Sequence, residues 1–341
     1  MQYGAIDLHR RSSVICLAGA ADGSYELEQT VGTSRAALTA FFAGRPPCRI
    51  LIESSTESEW VARLLESLGH EVVVGAPSYA AMYATRNRRI KTDRRDGRAL
   101  CDACRAGRYR AAHRTAEPWR SVRKQLSVRD ALVRSRTRMI NVTRALCRQE
   151  GCVIASGGNA DTFAARAARA ELPPELAQVI RPLVRSIGLL SRRIDRCDRT
   201  LAALAGGHAR VRRLMTLPCV GEVTALAFAA VVEPAARFGS PGQVACYLGL
   251  VPSEDTSSDR RHLGRITKGG DRRVRWLLVE AAHRLMRSTD PKAADLRRWS
   301  GRVLKRRGRG PAAVGLARKL AGRMWLIDKQ ERDYETRACR A

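Results

Sequence analysis

The chain has 341 residues, enough for two or three domains with cores of their own, and its 45% hydrophobic content is that of a globular protein. The 62 Lys and Arg against 33 Asp and Glu leave a net charge of +29, which points to a polyanionic partner, usually nucleic acid. No run of about 18 apolar residues could span a membrane and residues 1–11 lack a signal-peptide core, so the sequence predicts a cytoplasmic, nucleoid-associated protein with no membrane partner.

In chain order, 3–7, 13–18 and 25–29 read as short strands separated by turn signals, Ala21-Asp22-Gly23 among them. A helix over 34–43 follows with Ser34 as its cap, then a buried-type strand over 49–53, a helix over 59–68 and an apolar strand over 71–74. Three meander strands followed by helix, strand, helix and strand is the order of a ribonuclease-H-like sheet. The CxxC pair, Cys101 and Cys104, has no second pair and no histidine at ligand spacing, so it reads as small buried side chains.

From 118 to 147 the chain reads as a basic helix, and 151–172 as a hinge or hairpin tip. Leu176, Ile180, Leu183, Ile187, Leu190, Ile194, Cys197, Leu201 and Leu204 then recur at alternating spacings of four and three. That is the seam of a coiled coil or of an amphipathic helix packed within its own domain, and Pro182 is expected to kink it or mark its start. A helical C-terminal region opens near Leu214, where Leu217-Pro-Cys-Val-Gly221 resembles a helix–hairpin–helix turn; Gly221 would let a DNA phosphate reach backbone N–H groups.

Charge is not spread evenly. Residues 86–148 carry 20 Lys and Arg against 5 acids and residues 259–341 carry 24 against 9, whereas residues 1–85 carry 6 against 9. Two basic blocks suit two phosphate-neutralising surfaces; the first is the weakly preferred RNA surface. The acids form a pattern of their own. Asp7 lies on the first strand, Glu53 ends a strand expected beside it, and Asp93 and Asp96 lie three apart on one helix face. Alone, each reads as a solvated surface acid. Together, with two of them ending apolar strands, they suit two Mg²⁺ ions, which take oxygen ligands and clamp both oxygens of an in-line phosphoryl displacement. Arg88, Arg89, Lys91, Arg94 and Arg95 would hold the phosphates there.

A second constellation runs from Tyr247 to Arg275: a hydroxyl-rich loop holding Ser257 and Ser258, followed by Arg260, Arg261, Arg265, Lys268, Arg272 and Arg273. Arginines around a serine would stabilise a pentacoordinate phosphate, although loop serines are more often turn or cap residues.

These pieces, Gly4-Ala-Ile-Asp7, Ile52-Glu53, Lys91-Thr-Asp-Arg-Arg-Asp96, Leu217-Pro-Cys-Val-Gly221, Tyr247-Leu-Gly-Leu-Val-Pro252 and His262-Leu-Gly-Arg-Ile-Thr-Lys268, resemble in order and spacing the transposases of the insertion sequence 110 family, its 1111 branch included. The resemblance implies a RuvC-like domain over 1–112, a helical coiled-coil region over 113–205 and a mostly helical transposase domain over 206–341. It implies Mg²⁺ on Asp7, Glu53, Asp93 and Asp96, a covalent phosphoserine link, a structured guide RNA pairing with element-end and target DNA, and a dimer or tetramer with composite sites. Counting from Leu263-Gly-Arg265 places the nucleophile on Ser257, with Ser258 second; the family's usual Ser-Gly is here Ser257-Ser258. Likewise Lys268-Gly-Gly-Asp271 stands where Lys-Arg-Gly-Asn is commoner. Two alternatives stay open: a RuvC-like junction nuclease using metal-activated water, and a non-catalytic nucleic-acid-binding remnant.

Overall fold

Strand β1 (Gln2–Leu8) presents Ala5 to one face of a sheet and Ile6 and Leu8 to the other, as the two-residue period of an extended chain requires. It pairs antiparallel with β2 (Ser12–Ala18), which pairs antiparallel with β3 (Tyr25–Gly32). On its other side β1 runs parallel to β4 (Cys48–Glu53), which runs parallel to β5 (Glu71–Gly75). The order β3-β2-β1-β4-β5 is that expected of a ribonuclease-H-like sheet. This is a computed structural model; it describes residues 2–19, 24–85, 92–257 and 260–335, and the chain divides into two compact units, Met1–Arg114 and Thr115–Ala341.

In the first unit, Ile6, Ile15, Ile50 and Ile52 pack against α1 (Arg35–Phe42) and α2 (Ser58–Ser67) through Leu38, Phe42, Val61 and Leu65. Ser34 caps α1 by accepting the Ala37 N–H at 3.2 Å. The opposite face, with Ala5, Cys16 and Leu51, is covered by α3 (Asp93–Arg105) through Leu100, Cys101 and Cys104. Both cysteines of the CxxC are therefore core side chains, and burial pushes the Cys104 thiol up to about 11. Helix α3 is tied to the sheet edge by Arg98, whose Nη2 donates to Glu28 at 2.6 Å, and by the Tyr25 hydroxyl, which donates to Asp102 at 2.9 Å.

In the second unit, α4 (Trp119–Gln149) and α6 (Pro174–Gly207) form a hairpin joined by a segment holding the short α5 (Phe163–Ala168). Arg129 donates to Asp198 at 3.2 Å and Arg136 to Ser191 at 3.1 Å, pairs that fix an antiparallel register. The heptad seam of α6 is split. Ile180, Ile187, Ile194 and Leu201 are buried within the chain, whereas Leu183, Leu190, Cys197 and Leu204 stay half-exposed. The helix neither starts nor ends at Pro182; it begins at Pro174, where a missing N–H costs nothing, and runs through Pro182.

Val122, Leu126, Leu201 and Ala205 share one core with α7 (Ala209–Met215), α8 (Glu222–Val232), α9 (Pro241–Tyr247), α10 (Arg272–Leu285), α11 (Ala294–Arg307) and α12 (Arg309–Gln330). Helix α8 is buried almost all round, which suits its unbroken apolar sequence. Among the described residues, no helix is long and apolar enough to cross a membrane.

The segment predicted as a hydroxyl-rich loop is a hairpin of β6 (Pro252–Ser257) and β7 (Arg260–Ile266), with Ser257 paired to Arg260 at its end. Its base is a crossing of backbones. Gly249 has φ 67°, and a Cβ there would meet the Gly269 carbonyl oxygen at 2.2 Å; at Gly270, φ 71°, a Cβ would meet the Tyr247 carbonyl oxygen at 1.9 Å. Arg275 closes the crossing, donating to the Leu248 and Gly269 carbonyls at 2.9 and 2.7 Å.

Candidate active site

Asp7 lies two residues after Ala5 and Glu53 two after Leu51, so both side chains share the face of the sheet covered by α3. The β1–β4 register pairs Ile6 with Ile52, which makes Asp7 and Glu53 neighbours at the carboxyl ends of adjacent parallel strands, where open α/β sheets place their ligands. Helix α3 starts beside them. Thr92 caps it by accepting the Arg95 N–H at 3.3 Å, and Asp93 and Asp96 occupy its first turn, where the helix dipole favours acids.

All four carboxylates line one cleft of about 290 Å³, together with His9, Ser55 and Tyr83. Asp7, His9 and Asp93 bring ligand atoms within 4.8 Å of one another; Glu53 and Asp96 line the cleft outside that set. His9 Nε2 is 3.3 Å from Asp7 Oδ2 and 3.7 Å from Asp93 Oδ1. The Asp7 side chain is 14% exposed, and its Oδ2 meets His9 at an ion-pair distance without a well-formed hydrogen bond to any described residue. Burial pushes the Asp7 carboxyl above its ordinary range and Asp96 and Asp93 push it further, while His9 opposes them. A buried, underbonded carboxylate oxygen among like charges is a site a hard cation would stabilise, and the donor set is oxygen-rich as such ions require.

His9 was not among the residues singled out in the sequence. Its signal was the two-residue strand period, which puts it on the side of Asp7. The clamp of Glu28 on Arg98, which positions α3 and so Asp93 and Asp96, left no local signal. Hydrogen bonding from Arg98 holds the Glu28 carboxyl below its usual range.

The basic candidates differ in circumstance. Arg94 and Arg95 lie exposed on the first turn of α3, and Arg265, Lys268 and Arg272 are exposed in the second unit. Arg273 is half-buried and engaged, donating to Ser127 Oγ at 2.9 Å. Arg88, Arg89, Lys91 and Ser258 lie outside the described residues, and Ser257, Arg260 and Arg261 are described by their backbone. At the 217–221 turn the left-handed residue is Cys219 (φ 64°), not Gly221, which is the exposed N-cap of α8 with no atom within 4 Å of where a Cβ would stand.

Carboxylates at parallel strand ends, a capped helix start and a strongly basic chain make a protein of the phosphoryl-transfer class that acts on nucleic acid. The sequence matches two family models: residues 211–298 match the transposase family IS116/IS110/IS902, and residues 5–150 match a DEDD transposase model of the IS110 group. The chain is 32% identical over 305 residues to a probable family 20 transposase of Pseudomonas aeruginosa, covering 88% of this chain and 89% of that one. It is 29% identical to the transposase for insertion sequence element IS1328 of Yersinia enterocolitica, over 87% and 88% of the two chains. To the transposase for IS1111A of Coxiella burnetii it is 28% identical, over 83% and 78%. The chain belongs to the IS110/IS116/IS902 family of transposases, enzymes that cut and rejoin DNA, and the DEDD match is consistent with a RuvC-like first unit.

Proposed function

We propose that the protein moves its own insertion element by cutting DNA at the cleft of the first unit and holding a strand end on Ser257 of the β6–β7 hairpin. The observation that supports this is the gathering of Asp7, Glu53, Asp93 and Asp96, from three separate stretches of chain, around one cleft with an underbonded Asp7 oxygen. Those four residues would hold Mg²⁺, as two ions, which supplies charge neutralisation on the scissile phosphate during in-line displacement. His9 steadies Asp7 between turnovers, and Arg94 and Arg95 bind the flanking phosphates.

Ser257 Oγ attacks the scissile phosphorus; the Oγ–P bond forms as the bond to the leaving sugar oxygen breaks, and the serine proton is balanced by one taken up on that oxygen. A free hydroxyl end later attacks the phosphoserine and releases the serine. Arg260, Arg261, Arg265, Lys268, Arg272, Arg273 and the backbone at Gly221 are the nucleic-acid contacts of the second unit. Guidance by a structured RNA, and assembly into a dimer or tetramer through a coiled coil using the half-exposed half of the α6 seam, complete the reading.

The test is a covalent adduct on a denaturing gel with Mg²⁺ and an element-end duplex. Ser257→Ala should abolish the adduct and leave RNA binding unchanged, and Asp7→Asn should abolish both adduct and cut. An adduct that survives in Ser257→Ala and vanishes in Ser258→Ala moves the nucleophile one residue. Hydrolysed ends without any adduct would mark a metal-dependent nuclease instead.

A further inference from the structure

The protein has five tryptophans, and four of them carry a cation of the same chain over the ring: Arg35 on Trp60, Arg210 on Trp119, Lys319 on Trp299 and Lys329 on Trp325. Trp276 is the exception. It is 52% exposed, and among the described residues no guanidinium, ammonium or second ring covers it. A single exposed ring is ordinary, but Trp276 shares its surface with Val142, itself 43% exposed, and gathered exposed apolar side chains mark an interaction site.

Trp276 lines a groove of about 720 Å³ between α4 and α10, together with Val133, Val142 and Ala145. Arg134, Arg138, Arg272 and Arg273 line it against a single acid, Asp130. Arg134 is paired to Asp130 at 2.8 Å and Arg273 approaches it at 3.9 Å, whereas Arg138 and Arg272 have no acidic partner among the described residues. The same indole also lines a second cleft, with Gly221 and the start of α8, that holds Arg129, Arg284, Glu222 and Glu280.

Apolar lining residues and, among the described residues, an indole with no cation over it and two guanidiniums with no acidic partner match the chemistry of an unpaired nucleotide: a base stacks on the ring and its phosphates meet the arginines. A fully paired duplex hides the faces of its bases and offers the ring nothing. We propose that the α4–α10 groove binds an unpaired DNA strand by stacking a base on Trp276. DNA is the committed occupant because DNA is what transposases of this chain's family cut and rejoin. The inference rests on DNA as the substrate and not on the metal or serine assignments, so it can fail while they stand.

The experiment uses the full chain at fixed salt without divalent metal, and reads the anisotropy of labelled oligo(dT), of a DNA duplex and of oligo(U). Trp276→Ala should weaken oligo(dT) binding about five- to hundredfold, as the loss of one stacked base does. Trp276→Phe should stay within about threefold, since a ring remains to stack on. Duplex affinity should hold, and so should the salt dependence of oligo(dT) binding, whereas Arg138→Gln with Arg272→Gln should flatten that dependence. A bromodeoxyuridine oligonucleotide should photocross-link to the tryptic peptide 276–284. Equal losses on duplex and single strand, no loss at all, or cross-linking by a bromouridine RNA but not by the DNA would each overturn the proposal.

Discussion

His9 Nε2 stands 3.3 Å from Asp7 Oδ2, which places an imidazole in the cleft that the four acids line. Asp7 sits on the strand and His9 just past its end, and the same ring lies 3.7 Å from Asp93 on α3. The histidine thus bridges sheet and helix within the cleft. Replacing it with alanine should lower metal-dependent DNA cleavage about 10- to 100-fold, the usual effect of losing a group that orients a ligand. Cleavage rates measured against Mg²⁺ concentration decide this, and an unchanged rate would reduce His9 to a surface residue.

Asp7 also carries a signature in stability. Its folded-state pKa is raised, first by burial and then by Asp96 and Asp93, so the ionised form disfavours the folded, metal-free chain. That penalty is complete above the folded pKa and relieved as pH falls toward the unfolded value of 3.8. Asp7→Asn should therefore raise the Tm of metal-free protein at pH 7 and lose that advantage on acidification. Added Mg²⁺ should stabilise the natural chain more than Asp7→Asn. Thermal melts across pH, with and without Mg²⁺, check both.

The backbone crossing under the serine hairpin gives a sharp pair of variants. Gly270→Ala drives a Cβ into the Tyr247 carbonyl at 1.9 Å from a left-handed backbone, and should cost at least about 1–3 kcal/mol. Gly269→Ala meets nothing within 4 Å and should change Tm little. Position 269 has room for a side chain. Position 270 has no such freedom. Denaturant midpoints and adduct formation on both variants test the crossing.

Asp328 has 4% of its side-chain surface exposed and accepts from Arg210 at 2.6 and 2.5 Å, tying α7 to α12. Arg210 also lies over the Trp119 ring. Arg210→Ala leaves a buried carboxylate unpaired and should destabilise the protein by about 3–5 kcal/mol. Pairing it with Asp328→Leu should recover much of that loss, because the uncompensated charge is gone. Urea denaturation of the single and double variants provides the measurement.

The split seam of α6 allows folding and association to be tested separately. Ile187→Glu places a charge among Ile140, Phe163 and Ile180 and should unfold the α4–α6 hairpin. Leu190 is half-exposed, so Leu190→Glu should keep the helical circular dichroism. If the outer half of the seam joins two copies, that variant lowers the mass measured by light scattering. An unchanged mass would leave α6 an internal helix only.

The five-strand order was legible because extended chains alternate faces and turns have their own residues. Ala5 and Ile6, adjacent in sequence, enter different cores as that pattern requires. The acids could be picked out because Asp7 and Glu53 end apolar strands and Asp93 opens a capped helix. The serine segment was harder. Its polar sequence suits a loop, yet cross-strand pairing makes it a hairpin, since edge strands facing water need no apolar face. At Pro182 local propensity was overridden by the packing of Ile180 and Ile187 on both sides of it.

Sequence alone thus determined the order of strands and helices in the first unit, where basic charge accumulates, and the family to which the chain belongs. Those properties depend on near neighbours and on residue type. Tertiary structure alone decided that His9 reaches Asp93, that Arg98 and Glu28 hold α3 in place, that Gly249 and Gly270 must lack side chains, and that among the described residues no cation covers Trp276 while four other tryptophans have one. Each of these is a distance between atoms remote along the chain, and only packing sets such distances.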